Sequence, residues 1–269
     1  MNIAELDLKC IGGIIGDTVG KPYEFHPTKQ QDFVYLKMSE RPTDDSVMTV
    51  ANMDWLANGR DLVESMRDWG LRYSHVGYGP KFLAWLMNPE TEQYGSFGNG
   101  SGMRVSPVGW WFDTLEETLE YAEKSAEPTH NHPEGVKGAK CIAGSIWIAR
   151  NGKTKEEIKQ FCTNLGYDME RKLEDIRPTY KFEVSCQKSV PESVLCFLEA
   201  DSYEQTIRNA ITMGGDADTM ACMSGAIAEA FGYEIPFQFK NRLNKCGEDM
   251  QKMIIDFNTK LKERWNKTN

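Results

Sequence analysis

Nearly every apolar cluster along the chain repeats at three and four residues and not at two, as in VMTVANMDWLA at 47–57. That period predicts helices with one buried face. The pattern places helical segments over 3–20, 44–58, 62–75, 80–88, 115–126, 135–150, 154–164, 190–199, 202–213, 218–231 and 236–264. The breaks between them carry punctuating residues: Gly59, Gly77 to Pro80, Pro89, Pro128, Gly152, Gly166, Gly232 and Pro236. Only PTYKFEVSC at 178–186 alternates, with Tyr180, Phe182 and Val184 on one side. An isolated extended segment makes no sheet, so this stretch reads as a packed connection. With no linker, low-complexity region or repeat, the expectation is one all-α domain over 1–269.

Three segments depart from ordinary amphipathic helix. DTMACMSGAIAEAF at 218–231 is small and apolar almost all round, as suits a helix in the centre of a bundle. GSFGNGSGMRVSPVG at 95–109 is Gly-rich and reads as too irregular for any regular element. GIIGDTVGKPYEF at 13–25 is not a phosphate loop, because three residues separate Gly16 from Gly20 and Pro22 follows Lys21 where Ser or Thr belongs. It reads as a small-residue helix that packs closely in the core and ends at Pro22, leaving Glu24 on the loop beyond. There Glu24 is either a ligand-contacting or acid/base carboxylate or simply solvated. The seven tryptophans fall mostly on helix faces and read as core.

Composition narrows the function classes. The 269 residues are 40% hydrophobic and 26% charged, which suits a soluble globular protein. A net charge of −9 argues against non-specific nucleic-acid binding. No run of about 18 apolar residues predicts a membrane span, and MNIAELDLKC lacks the order of a signal peptide. The seven cysteines are odd in number, scattered and never spaced CxxC. They therefore read as reduced thiols of a cytoplasmic protein, without a disulfide framework or zinc cage. A monomer is the default expectation.

The chemistry is concentrated in two acidic motifs, TDDS at 43–46 and GGDADT at 214–219. Each sets two aspartates and a hydroxyl at the start of an apolar helix. Helix capping explains one such side chain, but neighbouring carboxylates repel one another unless a cation is present. Oxygen donors without His or Cys suit a hard ion such as Mg²⁺ or Mn²⁺, and two facing pairs would suit two ions. Capping and metal binding both remain open on spacing alone. HNHPEG at 130–135 precedes a helix, so His130 and His132 are placed to meet a ligand anion, with zinc a weaker alternative. The glycines of SFGNGSGMR can offer backbone amides to a phosphate. Arg104 fits either a charge-assisted bond to that anion or a buried clamp on loop carbonyls.

Taken together and in this order, GGIIGDTVGKPYEF, PTDDSVMT, SFGNGSGMRVSPVG, THNHPEGVKGA and GGDADTMACMSGAIAEAFG resemble the ADP-ribosylglycohydrolase family, which includes the dinitrogenase reductase-activating glycohydrolases. The resemblance runs from residue 11 to about 232 and is nearest to the family's bacterial branch. It implies a single-domain orthogonal helical bundle with a binuclear Mg²⁺ site in a cleft. The implied metal ligands are Thr43, Asp44, Asp45, Asp216, Asp218 and Thr219, with Ser46 where family members usually carry Thr. The implied substrate-binding set is Ser96, Gly98, Asn99, Gly100, Met103, Arg104 and His132. Glu24, Asp44 and Asp45 are the implied catalytic carboxylates. The implied reaction is hydrolysis at C1″ of an ADP-ribosylated macromolecule or a related small conjugate, releasing ADP-ribose. Two other classes share some of these features: a non-catalytic ADP-ribose-binding module and an all-α metal-dependent phosphohydrolase.

Overall fold

The computed structural model describes residues 2–35 and 41–268. A 3-10 turn at Ile3–Glu5 leads to α1 (Gly12–Glu24), α2 (Asp44–Asn58), α3 (Leu62–Arg72) and α4 (Pro80–Met87). There follow α5 (Gly100–Met103), α6 (Ser106–Trp111), α7 (Leu115–His130), α8 (Pro133–Arg150) and α9 (Lys155–Asn164). The chain continues through α10 (Leu173–Ile176), α11 (Cys186–Leu198), α12 (Tyr203–Thr212), α13 (Ala217–Ala230) and α14 (Phe237–Lys240). A second 3-10 turn, Asn241–Lys245, precedes α15 (Glu248–Thr268). No strand occurs among the described residues, and Gly98 pairs with Ser185 in an isolated antiparallel bridge.

The centre of the fold is the contact of α1 with α13. Gly12, Gly16 and Gly20 recur every four residues on α1 and meet Gly225, Ala221 and Ala217 on α13 in reverse order. The absence of side chains lets the two backbones touch: a Cβ on Gly16 would lie 2.1 Å from the Ala221 carbonyl oxygen. Because the helices are antiparallel, the C-terminal turn of α1, with Lys21 and Glu24, lies beside the first turn of α13, with Asp218. The other end of α1 has no local cap. The Glu229 carboxylate of α13 accepts hydrogen bonds there from Ile11 N at 3.0 Å and Gly12 N at 2.7 Å, satisfying amides that the helix itself cannot. α13 is buried almost all round, as its composition predicts. The seven cysteines are buried free thiols.

Several boundaries differ from the sequence expectation. The predicted helix over 3–20 is split, because Cys10 turns the backbone to φ +60° before α1 begins. α1 then runs through Pro22 to Glu24, and α7 runs through Pro128 to His130. Each proline lies in the last turn and costs that helix the one bond its missing N–H would have made to the carbonyl four residues back, so tertiary packing carries the last turn. The 95–109 stretch, expected to be irregular, holds the short helices α5 and α6. The predicted 236–264 helix divides into α14, a 3-10 turn and α15. Gly247 marks the second break, and a Cβ there would meet the Tyr73 hydroxyl at 2.0 Å.

Candidate active site

The acidic motifs separated by about 170 residues meet. Thr43 caps α2, its Oγ1 accepting from Asp45 N at 3.3 Å. Asp44 and Asp45 thus occupy the first turn without serving as the cap. Asp216 stands at the N-cap position of α13 yet makes no capping hydrogen bond. Capping therefore leaves most of these carboxylates unexplained. What joins the motifs is Thr219 Oγ1, which donates to Asp45 Oδ2 at 3.2 Å across the α2–α13 contact. Two helix N-termini converge here, and their positive ends favour carboxylates.

A residue that sequence reasoning missed holds this arrangement. Asp17, fully buried on α1, accepts from Thr43 N at 2.9 Å, Thr43 Oγ1 at 2.8 Å, Ser46 N at 3.2 Å and Ser46 Oγ. It ties the entry of α2 to α1. Burial pushes the Asp17 carboxyl up to about 6 although these bonds pull the other way. The available signal was an aspartate inside an otherwise apolar, Gly-rich helix.

Burial also raises the neighbouring carboxyls. It pushes Asp44 up to about 7, with repulsion from Asp17 and Asp216 adding to the effect. It drives Asp45 and Asp218 well above their ordinary range, again reinforced by facing carboxylates, and Asp216 upward. Asp216 receives partial compensation from Asn99 Nδ2, which donates to its Oδ2 at 2.8 Å. Asp45 is 2% exposed, and its Oδ1 has no hydrogen-bond partner among the described residues. One oxygen from each of Glu24, Asp216 and Asp218 lies within 4.8 Å of the others. Buried like charges around an orphaned oxygen are costly unless cations offset them. The donor set, all oxygen, fits a hard divalent ion.

Glu24 is the last helical residue of α1 and not a loop residue. Its carboxylate pairs with Lys21, whose Nζ also lies 3.6 Å from Asp218 Oδ2. Burial opposes the Lys21 charge, but the Glu24 bond and Asp218 together hold the ammonium above its ordinary range.

These groups line one end of a cavity of about 470 Å³, within the range of small-ligand sites. Ser96, Gly98, Asn99, Gly100, Met103 and Arg104 contribute to its wall, with Tyr94, His130, Phe182 and Val184. The 98–100 loop is clamped from both sides. Asn99 N donates to Val184 O at 2.7 Å and Cys186 N to Phe97 O at 2.8 Å, so the 178–186 connection positions it. The amides of Gly98 and Asn99 are thereby engaged within the protein, Gly98 N with Ser96 Oγ at 3.1 Å, and are not offered to an anion. Gly100 is required for closeness: a Cβ there would lie 2.8 Å from His130 Nε2.

One expected ligand contact falls elsewhere, and a second, though it touches the cavity wall, is committed to protein partners. His132 caps α8, its Nδ1 accepting from Glu134 N at 3.1 Å, and it is His130 that lines the cavity. The reason is α7, which extends to His130 and turns that ring inward. Arg104 is fully buried and donates to Ser125 O at 2.7 Å and Thr129 Oγ1 at 3.1 Å. Of its two open roles, the geometry is that of a clamp on the end of α7. Arg104→Met is expected to cost about 2 kcal/mol, because those acceptors lose a charged donor in a buried setting. Urea unfolding of the variant measures this.

A family model described as ADP-ribosylglycohydrolase matches residues 9–267. The chain is 27% identical to "ADP-ribosylhydrolase ARH3" of Xenopus tropicalis, over 86% of this chain and 88% of that protein. It is 25% identical to the human protein of that name, over 82% and 84%. It is 22% identical to "ADP-ribosylarginine hydrolase Tri1" of Serratia proteamaculans, over 87% and 73%. Among solved structures, an "ADP-ribosylglycohydrolase-related protein complex" superposes with a TM-score of 0.69 at 20% identity, over 93% of this chain and 96% of that one, and shares the fold. With a family model spanning nearly the whole sequence and its acidic motifs joined at one cavity, the chain belongs to the ADP-ribosylglycohydrolase family.

Proposed function

We propose that this protein hydrolyses the bond between C1″ of the distal ribose and the acceptor in an ADP-ribosyl conjugate, releasing ADP-ribose with the help of Mg²⁺ or Mn²⁺. The observation that carries this reading is the Thr219–Asp45 bond, which brings both acidic motifs to the end of a ligand-sized cavity beside the unpartnered Asp45 Oδ1. The relatives bearing the names ADP-ribosylhydrolase and ADP-ribosylarginine hydrolase support the same substrate class.

Thr43, Asp44, Asp45, Asp216, Asp218 and Thr219 are the residues that would hold two ions. When bound, such ions supply positive charge that polarises oxygens near the reacting carbon. The chain's own residues do the rest. Cleavage builds oxocarbenium character on the ribose, which a carboxylate-lined pocket stabilises. Glu24, 14% exposed at the cavity edge, is placed to accept a proton from water. Asn99 holds Asp216 in its orientation, and Asp17 does the same for Thr43 and Ser46. Ser96, Gly98, Gly100, Met103 and His130 form the wall along which the pyrophosphate and adenosine would lie.

Treatment with EDTA is expected to lower release of ADP-ribose from an ADP-ribosylated peptide by at least about 100-fold, consistent with several kcal/mol of charge stabilisation. Added Mg²⁺ restores it. Turnover unchanged by the chelator defeats the metal assignment. AMP or phosphate as the product would identify a phosphohydrolase instead, and tight ADP-ribose binding without turnover a binding module.

A further inference from the structure

We infer that Lys29 is a positioning residue for the acidic site: its ammonium fixes the approach of the chain to Asp216 and so sets how tightly the carboxylates hold a divalent ion. The inference deepens the proposed metal reading of the cavity and rests on it. Lys29 is exposed in the stretch after α1 and lines no part of the cavity. Its Nζ nevertheless donates to three main-chain carbonyls, those of Arg177 at 2.7 Å, Tyr180 at 2.7 Å and Met213. The first two follow α10, and the third ends α12. Carbonyls at a helix C-terminus lack intrahelical donors and carry partial negative charge, so an ammonium suits them. Such charge-assisted bonds are roughly twice as strong as neutral ones.

The two residues after Met213 have no side chain of their own, so what packs on them decides where they run. Gly214 turns at φ +65°, and a Cβ there would lie 2.9 Å from Lys29 Cε. A Cβ on Gly215 would lie 2.5 Å from Tyr180 Cε1. The glycines are thus packed in turn against the Lys29 stem and the Tyr180 ring, and Asp216 is the next residue.

A second route from the same ammonium leads to the same carboxylate. Four residues beyond Tyr180, Val184 O accepts from Asn99 N at 2.7 Å, and Asn99 Nδ2 donates to Asp216 Oδ2 at 2.8 Å. Lys29 therefore closes a ring: the backbone that carries Asp216 and the side chain that orients it are tied at one point. Without the ammonium both arms remain but are uncoupled. Asp216 then gains freedom where facing carboxylates already repel it. An ion would have to order that ligand itself, and the ordering cost weakens its binding.

The experiment compares wild type, Lys29→Met and Lys155→Met. Methionine keeps an apolar stem over Gly214 and removes the ammonium. Lys155 is the control, since its Nζ likewise donates to main-chain carbonyls, Leu198 O at 3.0 Å and Ala200 O, and it lies outside the cavity wall. Mn²⁺ binding is measured by electron paramagnetic resonance, and turnover of an ADP-ribosylated peptide is followed against Mn²⁺ concentration. Lys29→Met is expected to raise the Mn²⁺ Kd about tenfold, the lower end of what losing a ligand-orienting partner costs. Turnover at limiting Mn²⁺ falls by the same factor, and excess Mn²⁺ restores it. Lys155→Met leaves both unchanged. A shift below about twofold in Lys29→Met, far short of that range, or an equal loss in Lys155→Met, overturns the inference. If the wild type binds no Mn²⁺, the metal reading falls, and hydrogen exchange decides whether Lys29 positions the site. The amides of Asn99 and Gly214 should then exchange faster in Lys29→Met than in Lys155→Met, and unchanged exchange at both overturns the positioning role.

Discussion

Asp218→Asn is expected to reduce ADP-ribose release by on the order of 1000-fold while the protein stays folded. Asp218 is 4% exposed in the first turn of α13, shares a donor cluster with Glu24 and Asp216, and faces Asp45 and Asp17. Asparagine keeps the shape but removes one formal charge from the set that would hold the ions. Loss of a few kcal/mol of transition-state charge stabilisation corresponds to about three decades in rate. Stability should move the other way. Removing one of several mutually repelling buried carboxylates relieves repulsion in the metal-free protein, so Tm without Mg²⁺ should rise or hold, and the rise normally produced by Mg²⁺ should shrink. A rate within tenfold of wild type, under saturating Mg²⁺, would remove Asp218 from the machinery.

The second large effect concerns the scaffold. Gly16→Ala is expected to destabilise the fold by about 3 kcal/mol, at the upper end of what overpacking a core usually costs. The added methyl would lie 2.1 Å from the Ala221 carbonyl oxygen and 2.6 Å from its carbon, and both are backbone atoms in the middle of α13. Neither can rotate aside. Alanine's better helix propensity returns about 1 kcal/mol, less than the clash costs. A fall of roughly 10 °C in Tm follows from the usual dependence for a chain of this size. Gly20→Ala serves as a companion: its methyl would meet Asp218 Cα at 2.7 Å, so activity should suffer beyond the loss of stability. Gly59→Ala is the contrast. Its φ of +63° makes alanine strained, but nothing lies within 4 Å, so only about 1 kcal/mol is at stake. If Gly16→Ala matches Gly59→Ala in thermal melts, the α1–α13 contact is not the close seam described above.

The sequence carried the helical class, because burial of one face imposes a period on residue choice that no tertiary detail erases. It also carried the acidic motifs, since stacked aspartates before an apolar helix are costly unless something else offsets them. The small-residue character of α1 and α13 was legible for the same reason: close backbone approach restricts composition. Element ends were less legible. Pro22 and Pro128 are local stop signals that packing overrode, and the place of Glu24 on α1 depended on that override.

What only the tertiary structure decided is who faces whom. Asp17 has no local reason to matter, and becomes the anchor of α2 only because α1 passes beneath Thr43 and Ser46. His130 and His132 are equivalent by spacing. The extension of α7 turns one ring into the cavity, while the other caps α8. Arg104 reads equally well as an anion contact until its donors are seen to end on α7. Lys21 acquires its partners only where the end of α1 meets the start of α13. A chain's residue types record the energetic demands placed on each position. Side-chain direction and long-range pairing are set by how elements dock, and docking is a property of the assembled backbone.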